Sequence, residues 1–161
     1  MPSVTPPDVR SPRSWVLLVV FLVMVIGIGG LIGSQSAPGG WYQNLAKPPF
    51  NPPNWVFAPA WLILYILIAI AGWRIFSLDR NGLAMKLWYG QILLNWLWTP
   101  TWFVLHLIWP AFVVILALWL LIIAFIVVAR RRDALSAWLF VPYLLWVSFA
   151  GLLNLSIGIL N

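Results

Sequence analysis

Five long apolar segments dominate this chain, and they leave few folds open to it. Each is long enough for a helix that crosses about 30 Å of hydrocarbon, which takes roughly 20 residues, and none alternates in polarity as membrane-barrel strands do. With 63% hydrophobic and only 7% charged residues, the chain also lacks the polar surface of a soluble domain. We therefore predict an all-α integral membrane protein built as a five-transmembrane-helix bundle, with spans at about 15–33, 55–76, 83–105, 109–129 and 137–160.

The remaining parts of the chain complete this arrangement. Residues 1–13 are rich in Pro and Ser and offer little to bury, so we expect a disordered tail before one transmembrane domain of residues 14–161. Pro100 and Pro142 fall inside apolar segments, and each predicts a bend because proline removes a helical hydrogen bond. Asp133 precedes the last segment and is expected to cap its first turn.

Basic residues are distributed unevenly between the two sides of such a bundle. If the segments alternate in direction, the side that holds the loop of residues 34–54 collects only Lys47. The positive-inside rule then predicts a cytoplasmic N-terminus if the chain resides in an inner membrane. The basic residues lie between apolar segments and never form a patch with interleaved aromatic residues, which argues against nucleic acid binding. The opposite side collects Arg10, Arg13, Arg74, Arg80, Lys86, Arg130, Arg131 and Arg132.

The chain contains 13 tryptophans, which fall into two groups by position. Seven lie near segment ends, where membrane interfaces favour an indole with a hydrated N–H; they are Trp15, Trp41, Trp55, Trp73, Trp88, Trp109 and Trp138. The other six lie deeper, where an indole needs a hydrogen-bond partner or an aromatic-walled cavity. Packing and a ligand pocket both remain open explanations for Trp61, Trp96, Trp98, Trp102, Trp119 and Trp146.

Three segments combine aromatic and polar residues at helical spacing, which places each set on one face of its helix. Amides are costly against lipid, so these faces are expected to point into the bundle. There they either surround a ligand or hydrogen-bond between helices. The sets are Trp61 and Tyr65 on the second segment, Gln91, Asn95, Trp98 and Trp102 on the third, and Trp146, Ala150 and Asn154 on the fifth.

The inventory of reactive side chains is small. The acids are Asp8, Asp79 and Asp133, none of which lies inside a predicted span, and the one histidine, His106, occupies a short turn. There is no Cys. Catalytic triads, paired carboxylates and metal sites all lack components. We therefore expect no metal site, no required cofactor and no acid–base enzyme, and we expect His106 to lie at the surface.

Two glycines in the first segment bear on helix packing. Gly29 and Gly33 have the small-xxx-small spacing that lets helices approach closely. We favour a partner helix in the same chain, because a five-helix bundle must make close contacts of its own. A second copy of the chain, and hence a homodimer, stays open.

The loop of residues 34–54, which we call the proline-rich loop, carries the most specific motif. Its prolines fix an extended backbone at little entropic cost, and rigid loops of this length are usually functional, so we interpret it as a lid over a ligand pocket. The run WYQNLAKPPFNPPNWVFAPAW at 41–61 resembles the signature of the tryptophan-rich sensory protein, or translocator protein, family, also known as peripheral-type benzodiazepine receptors. LLNWLWTP at 93–100 and AWLFVPYLLWVSFAGLLN at 137–154 match as well.

The resemblance implies a five-helix bundle, often dimeric, that binds porphyrins, sterols and synthetic ligands beneath the first loop. Leu155 replaces a tyrosine that animal members associate with sterol, so we expect a tetrapyrrole. Residues matched to the family pocket are Tyr42, Pro52, Trp61, Tyr65, Asn95, Thr99, Trp146 and Ala150. We add to this set Trp41, Lys47 as a partner for a ligand carboxylate, Trp98 and Asn154.

The leading hypothesis is a receptor- or transporter-like protein that captures a porphyrin between Trp61 and Trp146. Two alternatives stay open. The same two indoles match residues linked in some relatives to light-dependent porphyrin breakdown, which would make the protein an enzyme. In the third interpretation the chain is a structural or assembly subunit whose tryptophans only pack.

Overall fold

The computed structural model describes residues 12–36 and 39–161, and this part of the chain is helical and contains no strand. The predicted all-α class is confirmed. Residues 1–11 of the predicted tail lie outside the described residues, whereas residues 12 and 13 already belong to the first helix. The elements are α1 (Pro12–Gln35), α2 (Gly40–Asn44), a 3-10 turn (Asn54–Val56), α3 (Phe57–Asp79), α4 (Leu83–Phe103), α5 (Ile108–Ala129), α6 (Ala134–Leu139) and α7 (Val141–Leu160).

Four helical stretches in the described residues are long and apolar enough to cross a membrane, which indicates a multi-pass membrane protein. α4 has 21 residues, but its polar residues Lys86, Gln91 and Asn95 set it apart from these four. The four stretches are Ser14–Gln35, Asn54–Asp79, Ile108–Ala129 and Ala134–Leu160.

Proline shapes two of the helices differently. The last apolar stretch is interrupted at Phe140, and Pro142 opens the next helix, α7, so this predicted bend is confirmed as a break. Pro142 fits there because a helix has no partner for the N–H groups of its first turn. Pro100 instead lies within α4, which continues for three residues to Phe103.

The helices form a ring in which α1 packs mainly on α3, α4 on α5, and α5 on α7, while α6 contacts α3. Two tryptophans near helix ends belong to the core: Trp73 and Trp88 are buried, so their predicted interfacial position was wrong. Trp88 Nε1 donates to the Ile68 carbonyl at 2.9 Å. A partner carbonyl inside the bundle therefore replaces interfacial water. Trp15, Trp55, Trp109 and Trp138 are exposed, as predicted.

The close approach of α1 and α3 depends on Gly29. A Cβ at this position would overlap the ring of Tyr65, whereas one at Gly33 would meet nothing within 4 Å. The predicted packing within one chain is therefore confirmed at Gly29. Gly33 has a different role, because it borders a cavity described below.

An ion pair joins two parts of the bundle that are 59 positions apart in the chain. Arg74 Nε and Nη2 donate to Asp133 Oδ2 and Oδ1 at 2.6 and 2.8 Å. Asp133 also caps α6, as predicted, because it accepts from the backbone N–H of Ser136. Burial alone would raise the pKa of the Asp133 carboxyl, but hydrogen bonds from Arg74 and Ser136 hold the pKa below its ordinary value.

Replacing Asp133 with Asn is expected to lower the free energy of unfolding at pH 7 by about 2 kcal/mol, because hydrogen bonds to charged groups contribute about 1.5–3 kcal/mol. A carboxylate with a depressed folded pKa stabilises above its unfolded pKa of about 3.9, and this contribution disappears as pH falls through the folded value. The difference between wild type and Asp133→Asn should therefore shrink as pH falls below about 4 and vanish once the pH is below the folded pKa of Asp133. Thermal unfolding of both proteins in detergent at several pH values measures this difference in stability.

Asp79→Asn supplies the control for this prediction. It removes a carboxylate from the neighbouring turn, and Asp79 makes no ion pair in the described part of the chain. It should keep the acid-dependent loss of stability seen in the wild type. An Asp133→Asn protein that unfolds at the wild-type temperature at pH 7 would contradict the assigned role of the pair.

Candidate functional site

A cavity of about 450 Å³ lies between α1, α3 and α4, at the end of the bundle where the proline-rich loop begins and ends. Its size falls within the range of about 300–1,000 Å³ that is typical of small-molecule sites. Glycines form much of its α1 wall, and aromatic rings form the opposite walls. The aromatic residues are Phe57, Trp61, Tyr65, Trp98 and Phe103.

Trp61 is the central aromatic residue of this site. Its ring centroid lies 5.6 Å from that of Tyr65 and 6.4 Å from that of Trp98, and all three residues line the cavity. Trp61 is only partly buried. A face made of offset aromatic rings is suited to a flat apolar molecule, since aromatic groups pair favourably at such separations.

The expected slot between Trp61 and Trp146 is absent from this arrangement. Their ring centroids lie 6.4 Å apart and their planes meet at 87°, so the two indoles are in edge-to-face contact. A planar molecule sandwiched between them would need parallel rings and roughly twice the stacking distance. Trp146 thus contacts Trp61 but does not itself line the cavity.

The predicted polar face of α4 points into the bundle, as expected: Gln91, Asn95, Trp98 and Trp102 are all buried. Asn95 accepts from the Tyr65 hydroxyl at 3.2 Å and donates to the Tyr143 hydroxyl at 2.9 Å. Hydrogen bonding between helices therefore accounts for Asn95. The side-chain nitrogen and oxygen of Gln91 are buried and have no hydrogen-bond partner among the described residues.

Asn154 makes a second set of polar contacts. Its Oδ1 accepts from Trp98 Nε1 at 3.3 Å, and its Nδ2 donates to the Ile108 carbonyl at 3.1 Å. The amide thus ties α7 to α4 and to the start of α5. It also fixes the orientation of Trp98, which lines the cavity.

Three further predicted residues, Tyr42, Ala150 and Asn154, border a much smaller void of about 10 Å³. This is scarcely room for one water molecule. Phe57, Trp98 and Phe103 line both voids, so the two share a wall. Trp61, Tyr65, Trp98 and Thr99 border the large cavity, whereas five predicted residues border neither void: Trp41, Lys47, Pro52, Asn95 and Trp146.

The proline-rich loop has its own buried anchor in Tyr42. The ring is buried, and its hydroxyl donates to Asn51 Oδ1 at 2.8 Å. Burial raises the pKa of Tyr42 above its ordinary value. The Lys47 ammonium lies 5.0 Å from the centroid of this ring and donates to the carbonyls of Gln43 and Leu45 at 2.9 and 3.0 Å. The Lys47 ammonium is therefore bound by groups of the loop itself.

Aromatic contacts join the proline-rich loop to α4 and α7, among them those of Trp41 with Trp102 and of Tyr42 with Phe103. Two further contacts hold the loop against the connection after α4 and the end of the described chain. Trp41 stacks on His106, with centroids 4.3 Å apart and planes at 20°. His106 is exposed, as predicted, and has a φ of 57°. The side chain of Asn161 donates to the Ala46 carbonyl and accepts from the Ala46 N–H, both at 3.0 Å. Neither contact was predicted from the sequence.

Replacing Asn161 with Ala is expected to loosen the proline-rich loop. The substitution removes the acceptor of the Ala46 N–H, and one hydrogen bond contributes about 0.5–1.5 kcal/mol. Amide exchange at Ala46 should therefore accelerate roughly three- to tenfold. Hydrogen–deuterium exchange measures this, with Gln43 as the internal control because its N–H bonds to Gly39 within the loop. Unchanged exchange at Ala46 would show that Asn161 does not restrain the loop.

A second, more open groove of about 310 Å³ lies between α5 and α7. Its lining is almost entirely apolar and includes Leu155, the residue that stands at the sterol-associated position. Trp119 Nε1 donates to Ser148 Oγ at 2.8 Å at this groove. This hydrogen bond gives the deep indole of Trp119 the partner that it requires.

Comparisons with known proteins agree on one family. The sequence profile of the TspO/MBR family matches residues 15–160. Protein CrtK of Rhodobacter capsulatus is 40% identical over 92% of this chain and 94% of its own length. The tryptophan-rich sensory protein of Cereibacter sphaeroides is 37% identical over 91% of this chain and 92% of its own length. The translocator protein of Ovis aries is 34% identical, over 87% of each chain.

Proposed function

This chain belongs to the TspO/MBR family, as its motifs predicted, and from that premise we propose that it binds a flat, hydrophobic tetrapyrrole in the cavity between α1, α3 and α4. The observation that carries this proposal is the cavity itself, whose walls combine Trp61, Tyr65 and Trp98 at the end of the bundle that bears the proline-rich loop. In this proposal the loop acts as a lid.

The proposal includes five membrane spans, with α4 as the additional one. The contact of Asn161 with Ala46 and that of Trp41 with His106 bring the proline-rich loop, the connection between α4 and α5, and the end of α7 together at one end. The pair of Arg74 and Asp133 joins the C-terminal part of α3 to the connection between α5 and α6 at the other end. This distribution agrees with five helices that alternate in direction. α4 directs its two amides, Gln91 and Asn95, into the bundle, so neither amide faces lipid.

We place the end with Arg74 and Asp133 in the cytoplasm, since most of the basic residues lie there. The chain has no Cys, so single introduced cysteines report orientation without background. Arg80→Cys should react with a membrane-impermeant maleimide only after the membrane is opened, whereas Gln43→Cys in the loop should react in intact cells. The reverse pattern would invert the topology.

Porphyrin titration tests the binding proposal. Protoporphyrin should quench the intrinsic tryptophan fluorescence of the purified protein in a saturable way. Trp61→Ala is expected to weaken binding about tenfold or more, because stacking on one aromatic side chain contributes roughly 1–3 kcal/mol. Trp146→Ala should weaken it less, since Trp146 only supports Trp61. Trp138→Ala, which alters an exposed indole on α6, is the control.

A photochemical activity is the second candidate, and the indole cluster favours it. Trp61 contacts both Trp98 and Trp146, with centroids 6.4 Å apart in each case. A bound chromophore on Trp61 would therefore lie beside several oxidisable rings. Illumination of the complex in the presence of oxygen should then convert the porphyrin absorbance to that of a product, and Trp61→Phe should slow this. If the porphyrin in the saturated complex is stable to light, the photochemical activity is excluded and ligand binding is the only function that is left.

If the chain is instead a structural or assembly subunit, the expected results differ from those of both functions that involve a ligand. This interpretation expects neither saturable quenching nor any effect of Trp61→Ala beyond a change in stability. Because the titration includes both readouts, it separates this interpretation from the two that involve a ligand.

A further inference from the structure

We propose that a small pocket at the end of the bundle that holds Arg74 and Asp133 binds the headgroup of a phospholipid with a primary ammonium, such as phosphatidylethanolamine. In this arrangement Arg132 binds the lipid phosphate and Asp79 binds the ammonium. The pocket is separate from the cavity between α1, α3 and α4, and the inference goes beyond the proposed binding of a tetrapyrrole.

The pocket lies where α3 ends, α4 begins and α5 ends. Its volume is about 60 Å³, which is room for roughly four water molecules and therefore for a small polar group, not for a ring system. Helix ends in a membrane-spanning bundle lie near the lipid headgroups. The pocket is therefore at the depth where a headgroup can enter it. Its lining includes Leu78 and Asp79 of α3, Leu83 and Ala84 of α4, Val128 of α5 and Arg132.

This lining carries one cation and one anion, and neither is paired within the described part of the chain. Arg132 and Asp79 both border the pocket. They do not form an ion pair with each other, because the ion pair among the described residues is that of Arg74 with Asp133. Neither side chain has a hydrogen-bond partner among these residues. The pocket therefore offers two free charges of opposite sign.

A zwitterionic headgroup complements these two charges. A guanidinium is well suited to a phosphate because its N–H groups form charge-assisted hydrogen bonds with the phosphate oxygens. A carboxylate accepts charge-assisted hydrogen bonds from a primary ammonium in the same way. The quaternary ammonium of phosphatidylcholine has no N–H to donate. Asp79 therefore distinguishes the two headgroups.

The rest of the lining is apolar, as a lipid site requires. Leu83 borders the pocket and is 60% exposed. An exposed apolar side chain on a membrane helix contacts acyl chains, since lipid tails are as apolar as leucine. The pocket thus opens beside a surface that faces hydrocarbon. A lipid with its headgroup in the pocket would place its acyl chains along the outside of α4.

Other basic residues nearby do not favour an anionic lipid in the pocket itself. Arg80, Arg130 and Arg131 are exposed, and they attract anionic headgroups to this end of the bundle in general. None of the three lines the pocket. Inside the lining, the Asp79 carboxylate repels a second anion but attracts an ammonium. The pocket therefore adds a preference that the surrounding charges lack.

Native mass spectrometry of the full chain tests this preference. The protein is mixed with equal amounts of phosphatidylethanolamine and phosphatidylcholine that have identical acyl chains and differ by three methyl groups on the headgroup nitrogen. Phosphatidylethanolamine should be retained roughly three- to tenfold more, which allows for the partial exposure of a charged hydrogen bond. Equal retention of the two lipids would overturn the proposal.

Three variants assign the two charges. Asp79→Asn should abolish the preference for phosphatidylethanolamine, because an amide carries no charge. Arg132→Gln should weaken both lipids by the same factor and keep the preference, because both lipids carry the phosphate. Arg130→Gln removes the same charge outside the lining and is the control. An equal effect of Arg130→Gln and Arg132→Gln would show general surface attraction and would contradict a specific site.

Two further measurements separate the possible outcomes. Thermal unfolding in lipid-free detergent should give the wild-type Tm for Asp79→Asn and Arg132→Gln. Equal losses of stability in both variants would mean that the two side chains pair with each other, which would overturn the proposal. Protoporphyrin should bind Asp79→Asn with wild-type affinity, because the large cavity does not include Asp79. Failure of the lipid site therefore leaves the proposed function untouched.

Discussion

Replacing Gly72 with Leu is expected to destabilise the protein strongly, because the added side chain has no space to occupy. A Cβ at Gly72 would lie 2.6 Å from Cζ2 and Nε1 of Trp88. Trp88 cannot retreat, because it is fully buried and its Nε1 is bonded to the Ile68 carbonyl. Its ring also contacts that of Phe21, with centroids 5.2 Å apart. Relief of the overlap would therefore require α3 and α4 to move apart.

Overpacking of this kind costs about 1–3 kcal/mol and occasionally more. We expect about 3 kcal/mol for Gly72→Leu, which corresponds to a fall in Tm of roughly 10 °C for a chain of this size. Gly27→Leu is the matched control, because a Cβ there meets nothing within 4 Å. Thermal unfolding in the same detergent compares the two. If both variants unfold at the wild-type temperature, the tight contact of α3 with α4 at Trp88 is wrong.

Replacing Gly30 with Phe should abolish tetrapyrrole binding while the bundle stays folded. Gly30 lines the cavity, and a Cβ at this position meets nothing within 4 Å. A phenyl ring can therefore extend into the space that the ligand is proposed to use. We expect affinity to fall roughly hundredfold, about 2.7 kcal/mol, because the flat ligand and the new ring compete for one volume.

Gly27→Phe controls for the cost of a phenyl group on α1. Gly27 precedes Gly30 by one helical turn and is equally unobstructed, but it does not line the cavity. Fluorescence quenching should give wild-type affinity for Gly27→Phe. If instead the two variants bind porphyrin equally well, the cavity between α1, α3 and α4 is not the site.

The inward faces of the helices could be predicted because the membrane restricts them so strongly. Amides at Gln91 and Asn95 are costly against hydrocarbon, so helical spacing alone oriented α4 correctly. The same spacing could not orient Trp73 and Trp88. An indole near a helix end is stable either at the membrane interface or inside the bundle. For Trp88 the buried position is stable because its Nε1 donates to the Ile68 carbonyl.

Contacts between distant parts of the chain were out of reach of sequence patterns. Asp133 could be recognised as a cap because capping is local, but its pairing with Arg74 depends on how α3 and α6 pack. The contact of Asn161 with Ala46 is of the same kind. Neither residue type nor spacing in a single sequence specifies such pairs.

The cavity lies among aromatic residues, as the sequence indicates, but it is displaced toward α1. Our leading hypothesis from the sequence placed a ligand between Trp61 and Trp146, whereas these two rings are in contact with each other. The space lies instead beside Gly30 and Gly33, because glycine has no side chain to fill it. The glycine spacing was visible in the sequence, although we interpreted it as a packing motif, which holds for Gly29 but not for Gly33.

A crystal structure of the protein with bound protoporphyrin tests the central claim most directly. We predict that the ring lies in the cavity of about 450 Å³, stacked on Trp61 and in contact with Trp98. A ring bound instead in the groove between α5 and α7, with the space beside Gly30 unchanged, would contradict the claim.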